Sequence, residues 1–360
     1  MAAPRIDVAV VGGGPVGLAT AIACASRGLR AAVFERQRGV PDKACGEGLT
    51  PEGLLALDRL GARRHLDPSM CAPMVGIRYV QDGAAVEGRF RQGMGLGIRR
   101  PGLVRALQIA ARAAGVELQL GTAVRHVSQA PGAVTLEVDG CSVSAAYAVA
   151  ADGLHSPLRR SFGLEGVSGR PERWGLRRHY RNVAPGRWVE VHWHADAECY
   201  LTPTGPNRLG VAFLFGARTA PRFEALLARF PEVARRLRGA AVDSPLRGAG
   251  PLRQLPKDVV AGRVALVGDA AGYVDALTGE GLSLGFACAR ALAEALAKAL
   301  THGPDRLDAY RRAHARLFQA HARSAGGLVW LAQRPPLRRA ALRVLARAPA
   351  LFELALRAVG

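Results

Sequence analysis

Lysine is almost missing from this chain of 360 residues: it occurs only at Lys43, Lys257 and Lys298, although 49 residues are basic and the net charge is +20. The rest of that charge is arginine, scattered with no aromatic-interleaved stripe, so it reads as a coding bias and no nucleic-acid partner is expected. Aromatic residues are few, at 6%. Cys24, Cys45, Cys71, Cys141, Cys199 and Cys288 form no CxxC pair and no metal-ligand spacing, which argues against a disulfide framework and against any metal site. No run approaches the roughly 20 apolar residues of a membrane-spanning helix, and Met1 to Arg5 is too short to open a signal peptide. A cytoplasmic protein is therefore expected. With 49% hydrophobic and 22% charged residues, the chain has the composition and length of a folded protein of two domains or one elaborate one.

What is present begins at once. "IDVAVVGGGPVGLATAIACASRGLRAAVFER" reads as strand, glycine turn, helix and strand. Ile6 to Val11 is an apolar strand broken only by Asp7. Gly12, Gly14 and Gly17 form GxGxxG: the first glycine permits the tight turn, the second lets backbone approach a pyrophosphate, and the third lets helix and strand pack closely. The helix that follows Pro15, from about Val16 to Arg27, points its N-terminal amides at the phosphates. The second strand, Ala31 to Phe34, ends in Glu35, at the spacing of about 20 residues expected for the carboxylate that accepts from ribose hydroxyls. Arg36 follows it. A carboxylate here repels a 2′-phosphate and disfavours NADP at this site.

Further on, "AVAADGLHSPLRRSFG" places a turn, Asp152 and Gly153, between an apolar strand and a short helix that opens at Ser156 and Arg159. Later still, "GDAAGYVDALTGEGLSLG" (268–285) is a second glycine-rich loop with a lone early acid, Asp269, after the strand Val264 to Val267. Two complementary loops so far apart in one chain point to one particular nucleotide.

Together with "GIRRPGLVRAL", which carries Arg100, these motifs resemble the superfamily that joins group A flavoprotein monooxygenases, flavin-dependent halogenases and geranylgeranyl reductases. The resemblance spans residues 6 to 295. It implies an α/β fold with a Rossmann-like FAD-binding domain of glutathione reductase type, an inserted antiparallel-sheet substrate domain and a helical C-terminal tail. The expected FAD segments are 1–75, 96–165 and 256–300, those of the substrate domain 76–95 and 166–255, and the tail 301–360. It implies further that the strand before Asp269 lies beside the first fingerprint's strand and that Asp269 bonds the ribityl or pyrophosphate region. Gly279 and Gly281 would approach the isoalloxazine, and the helix from about Leu282 would aim its positive end at the flavin. Arg100 would sit near the flavin or pyrophosphate.

The chain also departs from the aromatic hydroxylases, which usually have a histidine right after GDAA and a proline shortly before the next glycines; here those places hold Gly272 and Ala276. "TGEG" (278–281) and "KACGEGL" (43–49) instead resemble geranylgeranyl reductases. In that group the cysteine lies by the flavin and the substrate tail, so Cys45 is a candidate catalytic residue. Lys43 and Glu47 are candidate proton carriers. The alternating segment from about Arg173 to Phe215 puts Trp188, Glu190, His192 and His194 on one face and Val189, Val191 and Trp193 on the other. Trp193, Tyr200 and Pro203 are expected to line a pocket for a flat or lipophilic substrate, with His192 and His194 facing solvent and, as the alternative, binding metal or shuttling protons. The tail carries many arginines against Asp305, Asp308 and Glu353, with Pro349 interrupting its helical pattern. Its apolar face is expected to cover the FAD domain, and a peripheral membrane contact is the alternative. No second nucleotide fingerprint remains, so NAD(P)H would dock transiently. The function expected is an FAD-dependent, NAD(P)H- and O2-using monooxygenase of a lipophilic aromatic or polyketide-type secondary metabolite. The alternatives are a reductase of prenyl or alkene double bonds and, more remotely, a non-catalytic flavin-binding protein. Oligomeric state is not legible.

Overall fold

A computed structural model of the chain describes residues 6–166, 172–216, 222–277, 279–302, 307–332 and 334–347. Thr278 of the TGEG motif and Pro349 of the tail lie outside the described residues. Apolar runs become the central strands of the first sheet, whose order is Val260–Ala261, Val264–Leu266, Cys141–Ala150, Ile6–Val11, Ala31–Glu35 and Glu117–Leu120, with Val124–Ala130 and Ala133–Val138 attached as a hairpin. From Val264–Leu266 to Glu117–Leu120 the strands are parallel. Helices buried against them satisfy the need of a parallel sheet for cover. The opening helix, Pro15–Ala25, is buried over most of its length because Arg100–Ala113 and Gly281–His302 pack on it.

Register decides what happens at the sheet's edge. Val11 is level with both Phe34 and Ala150, and Ala150 with Leu266. The turns after four strands therefore emerge side by side at the carboxyl ends, where open α/β sheets bind ligands. Here one expectation is corrected: Val264–Leu266 pairs with Cys141–Ala150, not with Ile6–Val11. The strand that carries the Asp152 turn stands between them.

The second sheet runs Ala241–Val242, Arg173–Arg181, Arg208–Gly216, Ala197–Gly205, Trp188–Trp193, Gly76–Gln81 and Ala84–Arg89, with Arg247–Ala249 added beside Arg173–Arg181. It is antiparallel except where Trp188–Trp193 meets Gly76–Gln81 in parallel. That joint is possible because the long stretch between the two strands supplies the crossover that parallel pairing needs. One face buries Cys199, Leu201, Val211 and Phe213 under Phe223, Leu226 and Phe230. The opposite face presents Tyr79, Val191, Trp193, Tyr200 and Leu214 to the segment around Leu277 and to the tail.

The tail divides its apolar face. Leu307 and Tyr310 join the first core, and the Tyr310 hydroxyl donates to Leu266 O at 2.6 Å. Beyond that, Ala332 and Leu342 enter the cluster under the second sheet, and helix Pro335–Arg347 lies on Gly76–Gln81 and Ala84–Arg89. The expectation that the tail covers the FAD domain holds for its first half, where Leu317 packs on the first core, Phe318 lies on Gly272 and His321 meets Glu280. Its end packs on the substrate-side sheet, where it buries that sheet's apolar aromatic face.

A third sheet of Gly48–Leu49, Gly95–Ile98 and Cys71–Met74 joins the two larger ones. Gly97 meets the substrate-side sheet so closely that a Cβ there would lie 1.7 Å from Pro203 O. Gly97→Val is expected to cost about 3 kcal/mol by overpacking this joint. A urea-unfolding midpoint equal to the wild type's would contradict it.

Candidate functional site

The first loop can contain only glycine at two positions. A Cβ on Gly12, whose φ is +113°, would lie 2.3 Å from Ala151 O, and one on Gly17 would lie 2.0 Å from Gly12 O. Gly14 is different: its nearest neighbour would be Arg100 Nη2, at 3.8 Å, so its open side faces a cleft under that guanidinium. Pro15 at the first helical position sets φ without wasting an amide donor. Val16 was expected at the cofactor, yet its side chain packs on Gly268 and Gly285, where a Cβ on Gly285 would come within 2.5 Å of Val16 Cγ2. It locks the first loop onto the second. Glu35 is buried and accepts from Gly13 N (2.8 Å) and Gln37 N (3.0 Å), which fixes the carboxylate at the strand end beside exposed Arg36.

The other two turns close around the same cleft. Asp152 Oδ2 accepts from Leu158 N at 3.2 Å, while Oδ1 is buried without a partner. Burial raises this carboxyl above its ordinary value, opposed by bonds from Ser156 and the backbone. Gly153 (φ +93°) brings the turn within 3.4 Å of Lys43 Nζ, measured from the position its Cβ would take. Arg159, 1% exposed, donates to Leu154 O (2.9 Å), Ala270 O (3.2 Å) and Gln254 Oε1 (3.1 Å), tying the middle turn to the Asp269 turn.

Asp269 faces the cleft opposite Lys43 and Arg100. The protein wall around it raises its carboxyl, and those two cations pull the other way. Lys43 reaches solvent through the cleft, yet enough protein surrounds its ammonium to lower its pKa, and Arg100 lowers it further. Gly279 (φ +69°) and Gly46 have open space around them, and Gly281 starts the Gly281–His302 helix, where an added Cβ would lie 3.8 Å from the Tyr273 ring. Leu282 packs against the first core. Cys45 Sγ accepts from Glu47 N at 3.4 Å, and burial, with Asp269 and Asp275 nearby, pushes the Tyr273 hydroxyl well above its ordinary value.

Glu47 requires a correction. It is not a free proton carrier: it sits at φ +59°, buried, with Oε1 accepting from Arg100 N at 2.8 Å and Oε2 bonded to His179 Nε2. His179 in turn meets Ser244 Oγ (2.8 Å), Arg177 Nη1 (3.1 Å) and Arg99, and Arg177 Nη2 reaches Lys43 O (2.8 Å) and Asp42. Burial acts to raise the Glu47 carboxyl, but the His179 bond and the charges of His179, Arg177 and Arg99 hold it below its ordinary value. This geometry positions the Lys43–Glu47 loop against the second sheet.

Pro203 is also corrected. Alternation puts it with Cys199 and Leu201 on the face away from Tyr200, and its carbonyl seats on Gly97. Trp193 and Tyr200 do share the inward face, with the Trp193 ring tilted 36° against Tyr79 at 4.8 Å between centroids and its Nε1 buried without a partner. His194 is exposed as expected, whereas His192 is mostly enclosed and bonded to Glu190 at 3.0 Å.

The sequence reading missed a buried polar cluster on that inward face. Arg173 Nη2 donates to Glu198 Oε2 (2.8 Å), Arg173 Nε lies 3.4 Å from Asp275 Oδ2, and the Tyr200 hydroxyl donates to Glu198 Oε2 (2.8 Å). Two acids share one cation away from water, so one carboxyl is disfavoured as an anion. Burial, with Glu198 nearby, raises Asp275 to about 6 although Arg173 lowers it. Asp275 lies in the quoted loop, and its partners come from another sheet; no local signal marks the cluster. Among the described residues no group of histidines, cysteines and acids could hold a metal.

Three turns at the carboxyl edge of a parallel sheet, a fixed acid at the second strand and a cationic cleft define a dinucleotide-binding flavoprotein fold. The residues fit FAD: Gly14 leaves room for a diphosphate beneath Arg100, and the lone Oδ1 of Asp152 and the buried, unpartnered Nε of Arg100 are polar atoms awaiting a partner. Comparison agrees. Residues 5–208 and 249–325 match the FAD binding domain family, and the chain belongs to it. It is 31% identical over 319 residues to a menaquinone reductase of Mycolicibacterium smegmatis (81% of this chain, 76% of that one). It is also 31% identical over 301 residues to a 3-amino-4-hydroxybenzoate 2-monooxygenase of Streptomyces cremeus (74% and 72%). A flavoprotein/dehydrogenase structure from Cytophaga hutchinsonii shares the fold, with TM-score 0.83 at 17% identity over 92% of this chain and 87% of that one. The protein is an FAD-dependent oxidoreductase.

Two predictions follow from this geometry. Gly14→Val, Asp269→Ala and Arg159→Met should each purify with little FAD, read as the ratio of flavin to protein absorbance; stoichiometric flavin in all three would refute the three-turn cleft. For Asp275, the folded pKa of about 6 exceeds the unfolded value. Its contribution to stability is thus full below about pH 4 and is lost as pH rises through about 6. Asp275→Asn removes that loss, so its stability relative to wild type should improve by up to about 3 kcal/mol between about pH 4 and pH 8. Unfolding titrations at both pH values check this, and a constant difference would count against it.

Proposed function

We propose that the protein is an NAD(P)H- and dioxygen-dependent monooxygenase that hydroxylates or epoxidises a lipophilic aromatic or polyketide-type molecule. The observation that carries this reading is the aromatic cluster of Tyr79, Trp193, Tyr200 and Leu214 on the inward face of the second sheet, buried under the tail and packed beside Tyr273 of the cofactor loop. Such a cluster keeps water from that side of the cofactor loop and offers apolar aromatic surroundings suited to a flat apolar molecule bound next to it. Gly12, Gly14, Glu35, Arg100, Asp152 and Asp269 would hold FAD. Lys43, facing Asp269 and Arg100 in the cleft, suits a counter-charge to the diphosphate as well as a proton carrier. When bound, FAD would supply the redox chemistry between the nicotinamide and dioxygen. The chain's part is to hold the substrate, keep the site dry and manage one proton. Burial keeps the Tyr200 and Tyr273 hydroxyls protonated, as donors, while the Asp275 carboxyl can accept or release a proton near neutral pH.

The second reading, reduction of a prenyl or alkene double bond, is favoured by Cys45, which stands within charge range of Tyr273 at the same loop, and by the likeness to a menaquinone reductase. Turnover of a panel of alkyl phenols and prenylated quinones under isotopically labelled dioxygen separates the two. Label in the product is expected; addition of two hydrogens without label would replace the first reading with the second. Cys45→Ala is expected to retain FAD and lose turnover, and unchanged turnover would make Cys45 a packing residue.

A further inference from the structure

Among the described residues the large exposed apolar side chains include singles such as Leu55, Met94 and Ile109, the pair Val242 and Leu246, and a group of three in the tail. Trp330, Leu337 and Val344 are exposed at 52%, 49% and 58% within a single stretch of the tail. Their orientation is set from beneath. Arg338 is buried in helix Pro335–Arg347, with Nε donating to Gln81 Oε1 (2.8 Å), Nη1 to Ala332 O (2.6 Å) and Nη2 to His194 O (2.9 Å), and with its guanidinium 5.0 Å from the Trp193 ring centre. Arg338, Leu342 and Leu345 thus face the sheet, which turns Leu337, Ala340 and Val344, at i, i+3 and i+7, outward. Exposed Arg334, Arg339, Arg343 and Arg347 flank them. Arg334 stacks 4.1 Å from the Trp330 ring centre, and Arg339 alone of the four has a carboxylate partner among the described residues, Asp82 at 2.7 Å. The sequence has no acid between Asp308 and Arg347.

A nucleic acid would use the arginines but not the apolar row, and a second copy of so basic a face would be repelled. An anionic bilayer satisfies both, because long cationic side chains reach the headgroups while tryptophan and aliphatic side chains enter the interface. We propose that Trp330 and the outward face of helix Pro335–Arg347 dock this protein on an anionic membrane surface. The inward face of the same helix covers Trp193 and Tyr79, so docking places the aromatic cluster one helix away from lipid. The inference does not depend on which reaction the site performs.

The test uses the full-length, FAD-loaded protein and sedimentation with vesicles of phosphatidylglycerol and phosphatidylcholine, or of phosphatidylcholine alone. Wild type should partition about ten-fold more strongly to the anionic vesicles, and the difference should shrink as salt rises. The double variant Leu337→Glu and Val344→Glu should lose about ten-fold of that binding, while Leu55→Glu with Val242→Glu, the same charge change at exposed sites elsewhere, should keep it. Equal losses in both variants would assign binding to the net charge and overturn the proposal. So would absence of vesicle binding by the wild type, or a wild-type dimer in size-exclusion chromatography that the tail variant dissociates.

Discussion

The cofactor cleft depends on one buried guanidinium. Arg159 sits at 1% exposure and bonds oxygens from three segments that are far apart in sequence: Leu154 on its own turn, Ala270 beside Asp269, and Gln254. A cation so placed is tolerated only where its donors are matched, and the planar fork of arginine, unlike the point charge of lysine, can meet several acceptors at once. Strand register brings the turns to one edge; Arg159 sets the distance between two of them. Val16 does the same between the first and last loops by packing on Gly268 and Gly285. FAD recognition is thus a property of the joints between turns as much as of the residues that face the cleft.

Two further polar lattices join the cofactor side to the second sheet. In one, Glu47, His179, Ser244, Arg177 and Asp42 hold the Lys43–Glu47 loop. In the other, Arg173 gathers Glu198 and Asp275. Their charge balance differs, and so does their chemistry. The first surrounds Glu47 with positive groups and keeps it ionised, which suits a fixed support. In the second, burial, with Glu198 sharing the same cation, raises Asp275 and leaves a proton that can move. Low dielectric strengthens both networks, and the same low dielectric makes the second one sensitive to pH.

How much of this was legible depends on whether the signal was local. GxGxxG, Glu35, the Asp152–Gly153 turn and the Asp269 loop are short-range patterns: glycine is demanded where a Cβ would strike backbone, as at Gly12 and Gly17, and such demands are written where they act. Glu47 and Pro203 misled because residue type and neighbourhood do not show which way a side chain turns. The Glu47 carboxylate is claimed by His179, which is distant in sequence, and the strand's alternation sends Pro203 to the face away from Tyr200.

By itself the sequence determined the class of fold, the dinucleotide-binding edge and the family resemblance, because tight turns and strand–helix packing are set by neighbours along the chain. Only the tertiary structure decided that the Asp152 strand stands between the two glycine loops, that Arg173, Glu198 and Asp275 meet, and that the tail covers the aromatic cluster while leaving Leu337 and Val344 outside. Those outcomes come from pairing and burial between distant segments, where each residue's environment is the sum of partners that no local pattern names.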